Sequence, residues 1–305
     1  MGKIAVLGVF VADLAFRADR MPVMGETLLG NSFAMNPGGK GSNQAVAAAR
    51  MGADVTMITR LGADNFAQMA HELWRADGIT PAVTEDADSY TGAAHIFVDE
   101  ASGDNAIIIA PGAAADLSES DLSNARESIE NADVFVTQLE QPLEAAMRGL
   151  QIARAAGVTT ILNPAPARKL PGEMLALCDY VTPNETETEI LSGVAVETVE
   201  DAARACEALK ALGVARPIIT MGEQGAYLDG HGLVPAFRAG EVVETTGAGD
   251  AFNGGFAACL AESMAPEDAA HYACAVAGLS VTRAGAAPSM PKRDEVLALL
   301  QGPDA

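Results

Sequence analysis

Short apolar runs alternate with amphipathic patterns along almost the whole chain. The runs are rich in β-branched residues, which predicts strands at residues 4–9, 55–59, 134–137, 159–162, 180–182 and 217–220. Apolar residues three or four positions apart predict helices at residues 42–51, 65–76, 118–130, 142–156, 185–191, 199–212, 251–262, 266–282 and 293–300. Strands that alternate with helices pair in parallel and are covered on both faces. The pattern therefore predicts an α/β fold around a mostly parallel sheet.

Two stretches, at about 11–37 and 90–110, interrupt this alternation. Residues 91–99 and 105–109 flank the turn sequence E-A-S-G-D, which predicts a β-hairpin. Strands without intervening helices indicate a small separate sheet, which we interpret as a lid over a ligand cleft. A hairpin on the edge of the main sheet is the alternative. Because no repeat or linker divides the chain, we expect one domain over residues 1–305, with both segments inserted into it.

Composition and charge argue against several classes of function. The chain has 305 residues, 49% of them hydrophobic, and a formal net charge of −22 without a basic cluster, so nucleic acids and anionic membrane surfaces are poor partners. No apolar run approaches the roughly 20 residues of a membrane span. Four widely spaced cysteines without metal-binding spacing indicate reduced thiols and a cytoplasmic protein. Asp13 interrupts the first apolar run, which favours a strand over a signal peptide.

The segment Thr246-Gly247-Ala248-Gly249-Asp250 combines a turn of small residues with the start of an apolar helix. Small residues let backbone N–H groups converge, and the first turn of a helix adds unpaired donors and a positive dipole end. Such a point suits a phosphoryl group, and an ionised Asp250 could accept a proton from an attacking hydroxyl. A plain aspartate near a helix start is the alternative explanation.

A second glycine-rich segment, N-P-G-G-K-G-S-N-Q at 36–44, opens another helix. It lacks the spacing of a Walker nucleotide loop, but Lys40 and Asn43 offer donors that suit a polyhydroxylated sugar. Asp13 and Glu140 each follow a predicted strand, where a carboxylate could accept hydrogen bonds from sugar hydroxyls. Both are also ordinary turn residues.

Two further segments suit a nucleotide. Asn184 and Glu187 lie three residues apart at a helix start, where they could hold a hydrated Mg²⁺ or form a simple capping box. Thr220, Gly222 and Gly225 follow the strand at 217–220, and the glycine pair could lie along a nucleotide.

The chain resembles the ribokinase-like (PfkB) carbohydrate kinase family over about residues 4–300. The resemblance is carried by four segments in the same order along the chain, at 38–44, 163–167, 182–187 and 246–250. The resemblance implies a Rossmann-like domain, a small β-sheet lid that also forms a dimer contact, and ATP-dependent phosphorylation of a primary sugar hydroxyl. The substrates would be a small sugar and ATP, with Mg²⁺ and K⁺ as the ions.

The resemblance also implies roles for individual residues. It makes Asp250 the base and the amides of Gly247, Ala248, Gly249 and Asp250 an anion hole. Its sugar pocket consists of Asp13, Gly39, Lys40, Gly41, Asn43 and Glu140. Its metal and phosphate contacts are Asn184 and Glu187, and its ATP contacts are Asn184, Thr220, Gly222, Gly225 and Gly249. Its monovalent-cation positions are Glu244, Thr246, Ser280, Arg283, Gly285 and Ser289.

Two positions depart from the family pattern. Val11 stands where family members that act on ribose have an asparagine, and members that act on 2-deoxyribose also have an apolar residue there. Glu244 replaces an aspartate at the potassium position. We expect transfer of the γ-phosphate of ATP to the 5-hydroxyl of a pentose, with ribose as the first candidate. The alternatives are 2-deoxyribose, another furanose or a nucleoside, and, from another class, a sugar-binding regulator without activity.

Overall fold

The computed structural model describes residues 1–302, so the last three residues of the expected domain lie outside the described part. The described residues contain thirteen strands. They are β1 (Lys3–Leu7), β2 (Val11–Ala18), β3 (Ser32–Gly38), β4 (Asp54–Gly62), β5 (Thr80–Asp86), β6 (Thr91–Asp99), β7 (Asn105–Gly112), β8 (Val134–Thr137), β9 (Thr159–Leu162), β10 (Tyr180–Val181), β11 (Arg216–Thr220), β12 (Gly225–Leu228) and β13 (Gly232–Pro235).

Eleven α-helices connect or follow these strands in residues 1–302. They are α1 (Lys40–Arg50), α2 (Asn65–Ala76), α3 (Glu119–Asn124), α4 (Arg126–Glu130), α5 (Leu143–Ala156), α6 (Gly172–Leu175), α7 (Glu185–Ser192), α8 (Val199–Ala211), α9 (Ala248–Ala261), α10 (Pro266–Ser280) and α11 (Arg293–Leu300). No helix among the described residues is long and apolar enough to cross a membrane.

The main sheet has nine strands in the order β13-β12-β11-β10-β9-β8-β1-β4-β5. The neighbours from β11 to β5 pair in parallel, whereas β12 pairs antiparallel with both β11 and β13 at one edge. Ile4 and Val6 of β1 pack into one core with α1, α2, α9, α10 and α11, and Ala5 and Leu7 pack into another with α3 to α6. The predicted α/β class is therefore confirmed, with helices on both faces of a mostly parallel sheet.

The order of strands reverses beside β1. From β1 the chain runs outward to β4 and β5 and then returns to β8 on the other side of β1. The loops that leave the carboxyl ends of β1 and β8 consequently diverge and leave a crevice between them. Asp13 lies in β2, which follows β1 along the chain, and Glu140 follows β8, so both candidate sugar carboxylates come shortly after the two strands that border this crevice.

A separate sheet of four strands has the order β3-β2-β6-β7. Its members β6 and β7 form the predicted hairpin, with His95 opposite Ile108. The alternative, a hairpin on the edge of the main sheet, is wrong, because β6 pairs with β2 instead. The role of this sheet as a lid is a proposal to which we return below.

Helices α1 and α9 lie in backbone contact through Gly254. A methyl group on Gly254 would lie 2.5 Å from the carbonyl oxygen of Gln44 and 2.5 Å from Cβ of Ala47. Only glycine permits this approach. The helix that begins with Lys40 and the helix that begins beside Asp250 are therefore in close contact at Gly254.

Some elements differ from those that the sequence predicts. The helix expected at 118–130 is two short helices with Ala125 between them. The hydroxyl of Ser123 donates to the carbonyl of Glu119, a bond that bends helices. Strand β5 was not predicted, because its residues, Thr-Pro-Ala-Val-Thr-Glu-Asp, are those of a partly exposed edge strand rather than of a core strand.

Candidate active site

The turn at 247–250 begins α9 at the edge of a cavity. Gly247 has φ 80°, a left-handed conformation that glycine adopts without strain, and it is the N-cap of α9. Nothing lies within 4 Å of the place where a side chain on Gly249 would begin, so the turn borders open space there. The N–H of Ala248 donates to the Thr245 carbonyl at 3.2 Å, which leaves the amides of Gly249 and Asp250 as the donors of this turn. Asp250 is buried at the third position of the helix. The turn thus places unpaired N–H donors and a carboxylate around one point.

The carboxylate of Asp250 is held by two side chains of α1. Asn43 Nδ2 donates to Asp250 Oδ2 at 3.0 Å, and Gln44 Nε2 donates to Asp250 Oδ1 at 2.9 Å. A carboxylate oxygen can accept two hydrogen bonds, so each still has capacity for a substrate hydroxyl. The orientation needed for a general base is therefore already present before any ligand binds.

Lys40, the first residue of α1, supplies positive charge to this group of carboxylates. Its backbone N–H donates to Glu140 Oε2 at 2.8 Å. The negative charge of Asp250 raises the pKa of the Lys40 ammonium, as do those of Glu140 and Glu187, while burial lowers it. The side chain is consequently charged at neutral pH and lies among the candidate base, sugar and metal residues.

Burial changes the acidity of the two candidate sugar carboxylates. It raises the pKa of Asp13 to about 6, with further increases from the negative charges of Asp250 and Glu244. It raises the pKa of Glu140 to about 7, although Lys40 partly opposes the effect. Two carboxylates whose pKa values are raised by burial, together in one crevice, are typical of a functional site.

A cavity of about 680 Å³ extends from the turn of α9. All five residues predicted to contact ATP line it, namely Asn184, Thr220, Gly222, Gly225 and Gly249. Its opposite wall consists of the irregular segment 236–242 and of α10 residues that include Ala277 and Gly278. The volume and the mostly apolar lining suit a nucleotide base and ribose, and Gly249 brings one end of the cavity beside Asp250.

Asn184 and Glu187 form a capping box at the start of α7. Asn184 Oδ1 accepts from the N–H of Glu187 at 2.8 Å, and Glu187 Oε2 accepts from the N–H of Asn184 at 2.9 Å. The simple explanation for this pair is therefore present in the structure. Glu187 is nevertheless buried, and burial raises its pKa. Its second oxygen remains for a hydrated cation, so the pair fits an Mg²⁺ ion held through water.

The candidate monovalent-cation positions come together in the loops around the end of α10. Glu244 Oε2 accepts from the N–H of Gly285 at 2.8 Å, which joins the two loops. Ser280 and Ser289 are buried and donate to backbone carbonyls at 2.8 Å, which leaves their hydroxyl oxygens as acceptors. The guanidinium of Arg283 instead pairs with Glu295, so Arg283 offers a cation only its backbone carbonyl. Thr246 is exposed and likewise offers its backbone carbonyl.

Val11 lies at the base of the small sheet in a buried apolar cluster with Val9, Ala94 and Ala114. It precedes Asp13 by two residues in β2, so both side chains are on the same face of the strand. The predicted apolar wall therefore lies on the sheet face that carries Asp13.

Sequence reasoning missed the buried amides behind Asp250. Gln44 belongs to the glycine-rich segment at 36–44 and Asn163 to the segment at 163–167, but the sequence assigned no role to either of them, nor to Gln138 and Asn253. All four are buried and hydrogen-bonded to one another or to site residues. The available signal was four amide side chains in or next to predicted site segments, but their partners are separated by up to 206 residues in sequence.

Comparisons with known proteins show which proteins the whole chain resembles. A family model described as pfkB family carbohydrate kinase matches residues 1–293. A ribokinase from Haemophilus influenzae is 38% identical over 302 residues, which are 98% of each chain. A deoxyribokinase from Salmonella typhi is 39% identical over 297 residues, 96% of each chain.

A solved structure gives the same result for the fold. Ribokinase from Arabidopsis thaliana in complex with ribose and ATP superposes with a TM-score of 0.89 and is 32% identical. The match covers 99% of this chain and all of that one.

Proposed function

Because the chain belongs to the pfkB family of carbohydrate kinases, we propose that it transfers the γ-phosphoryl group of ATP to the 5-hydroxyl of ribose. The observation that carries the proposal is the buried Asp250 carboxylate. Asn43 and Gln44 orient it at the point where the crevice beside β1 meets the large cavity. An acceptor sugar and a phosphoryl donor would meet at that point.

The reaction follows from the groups at the turn. Asp250 accepts the proton of the 5-hydroxyl as its oxygen attacks the γ-phosphorus, and the bond from this phosphorus to the β–γ bridging oxygen breaks. The free N–H groups of the α9 turn donate to the phosphoryl oxygens as negative charge develops there. Lys40 adds positive charge on the sugar side. A bound Mg²⁺ would neutralise phosphate charge, with Asn184 and Glu187 holding its waters.

The sugar would lie between the two strand ends that border the crevice. Asp13 and Glu140 are acceptors for its hydroxyls, and Gly39, Gly41 and Asn43 belong to the glycine-rich start of α1 that closes the pocket. Of these, Asn43 keeps a buried Oδ1 without a hydrogen-bond partner. Such an atom is stabilised when a ligand hydroxyl donates to it.

A specific observation favours 2-deoxyribose as a second candidate. Val11 offers no hydrogen bond on the sheet face that carries Asp13, and a buried sugar hydroxyl without a partner costs about 1–3 kcal/mol, roughly tenfold to a hundredfold in affinity. A deoxyribokinase is also among the relatives. Coupled ADP release with ribose and 2-deoxyribose at matched concentrations, with and without K⁺, tests the activity, the sugar and the ion together. A lack of sugar-dependent ADP release would exclude the proposed function.

Changing Val11 to asparagine should raise the kcat/KM ratio of ribose to 2-deoxyribose by about tenfold or more, because the amide gives the 2-hydroxyl a partner. Steady-state kinetics with both sugars measures the ratio. Val11→Ala is the matched control, since it keeps an apolar wall and should leave the ratio within about twofold. An unchanged ratio in Val11→Asn would show that this wall does not select the sugar.

Activation by K⁺ belongs to the same proposal. The Glu244 carboxylate and the loop at 280–289 provide oxygen acceptors close to the α9 turn. A cation there would strengthen the positive field of the anion-binding amides.

We also propose that the small sheet acts as a lid and forms a homodimer contact. One face carries Asp13 toward the crevice, and the other exposes Phe16, Phe33, Met35 and Ile108, which are 41%, 57%, 47% and 67% accessible. The rings of Phe16 and Phe33 lie 4.9 Å apart. A continuous apolar surface of this kind is typical of an interface, and a second copy offers the same surface in return.

Ile108→Asp should convert the dimer into a monomer, because a carboxylate would be desolvated in the centre of the apolar contact. Sedimentation velocity should give twice 31.3 kDa for the native chain and 31.3 kDa for the variant. Ile190→Asp introduces the same charge at another exposed isoleucine, on α7, and should leave the dimer intact. A native chain that sediments as a monomer at micromolar concentration would refute the dimer.

A further inference from the structure

The candidate base belongs to a closed ring of hydrogen bonds. Gln44 Nε2 donates to Asp250 Oδ1 at 2.9 Å and to Asn163 Oδ1 at 3.1 Å. From Asn163 the ring continues through Thr182 and Asn253 to the backbone of Gly249. The remaining bonds are Asn163 Nδ2 to the Thr182 carbonyl at 3.2 Å, Thr182 Oγ1 to Asn253 Oδ1 at 2.6 Å and Asn253 Nδ2 to the Gly249 carbonyl at 2.8 Å. Because Gly249 is bonded covalently to Asp250, the ring returns to its starting residue.

The orientation of the Gln44 amide in this ring is determined by charge. Its nitrogen faces two oxygens, those of Asp250 and Asn163, and its oxygen accepts from Gln138 Nε2 at 2.6 Å. The opposite orientation would bring the amide oxygen against the Asp250 carboxylate, which has no proton to donate when ionised. Each hydrogen of the Gln44 amide therefore has one acceptor, and the side chain has no unused donor for a substrate.

The ring is expected to add little to the free energy of unfolding. The side chains of Gln44, Asn163, Thr182 and Asn253 are between 1% and 6% exposed and lie in the interior between α1, α9 and the strand ends. Each loses its hydration on folding, and fully bonded polar groups in a core contribute little more than well-packed apolar ones. What the ring does specify is the position of one carboxylate oxygen relative to the first turn of α9.

We propose that Gln44 is a positioning residue, which holds the Asp250 carboxylate in register with the anion-binding turn through the ring of Asn163, Thr182 and Asn253. The inference rests on the proposed function, since it gives Gln44 its effect only through the base. A displacement of about 1 Å at a reacting group costs on the order of a hundredfold in rate. Loss of the Gln44 amide should accordingly affect turnover and not sugar binding.

The test is a double-mutant cycle with Gln44→Met and Asp250→Asn. In the native background, Gln44→Met should lower kcat about tenfold to a hundredfold and leave KM for the sugar within about threefold. In the Asp250→Asn background, the same change should lower kcat by less than about twofold, because the base through which Gln44 acts is already absent. Single-turnover transfer from radiolabelled ATP gives the rates of the slow variants.

A matched control separates positioning from a general loss of packing. Gln141 is an equally buried glutamine whose amide donates to Thr137 Oγ1 and to the Gln138 carbonyl, outside the ring. Gln141→Met should leave kcat within about twofold. If Gln44→Met does not fold, Thr182→Val breaks the ring at a distant bond with little change of shape and should lower kcat several-fold, again only when Asp250 is present.

The possible outcomes separate a failure of the positioning role from a failure of the proposed kinase function. Equal losses of kcat in both backgrounds, or a loss that appears mainly in KM, would overturn the positioning role while leaving the kinase intact. A native chain without sugar-dependent phosphoryl transfer would overturn the proposed function itself.

Discussion

Replacing Asp250 by asparagine should lower kcat by about a hundredfold to ten-thousandfold, the usual contribution of a general base. The two carboxylate oxygens already have fixed donors in Asn43 and Gln44, so the base is oriented before the sugar arrives. The asparagine has the same shape but cannot accept the proton of the 5-hydroxyl at neutral pH. Coupled ADP release should therefore show the loss in kcat, while calorimetric titration should show that the sugar still binds.

Asp201 provides the control for this change. It occupies the same third position of its helix, α8, where it accepts from Thr198 in a capping box on the surface. Asp201→Asn alters the charge at a helix start in the same way but lies outside the site, so kcat should stay within about twofold. If Asp250→Asn retains near-native turnover with both substrates saturating, the proton is accepted elsewhere and the assignment of the base is wrong.

Replacing Glu140 by glutamine should have two opposite effects, weaker catalysis and greater stability. The carboxylate is an expected acceptor for sugar hydroxyls, and the loss of a charged acceptor should lower kcat/KM about tenfold to a hundredfold. The same carboxylate is desolvated, which raises its pKa to about 7. At pH 8 its buried charge destabilises the native state, so the variant should be more stable by about 2–3 kcal/mol.

The gain in stability of the Glu140→Gln variant should depend on pH. A folded-state pKa above the unfolded value means that the folded chain binds the proton more tightly, so the contribution to stability is present at low pH and is lost as the pH rises through about 7. The difference between the variant and the native chain should therefore fall below about 1 kcal/mol at pH 5. Urea unfolding at pH 5 and pH 8 measures it, and the exposed Glu144→Gln is the control. If the difference in stability between the variant and the native chain is the same at both pH values, burial does not raise the pKa of Glu140.

The main features of the fold follow from local patterns. Alternating strands and helices predicted the parallel sheet, and the hairpin at 91–109 appeared within three residues of its predicted bounds because turn residues and alternating apolar positions are local signals. The edge strands β5 and β13 and the neighbouring β12 were missed, because short or half-exposed strands lack a continuous apolar run.

The candidate site was predictable where one segment carries both the chemistry and the geometry. The turn at 247–250 is such a segment, since its small residues and its aspartate are adjacent in the chain. The function of Gln44 was not predictable, because it depends on Asp250, 206 residues away, and on Asn163, 119 residues away. The raised pKa of Glu140 likewise results from burial, which only the assembled fold determines.

Because α1 and α9 are in close contact at Gly254, the residues that orient the base are structurally separate from the segment that would select the phosphoryl donor. Every residue proposed to orient the base belongs to this closely packed pair of helices or to the strand ends beneath it, whereas the far wall of the proposed nucleotide cavity is the irregular segment 236–242. Evolution or protein engineering can therefore exchange that segment to suit a different nucleotide without disturbing the catalytic geometry. A descendant of this chain that uses a different phosphoryl donor should differ first in this loop and retain the glycine between the helices.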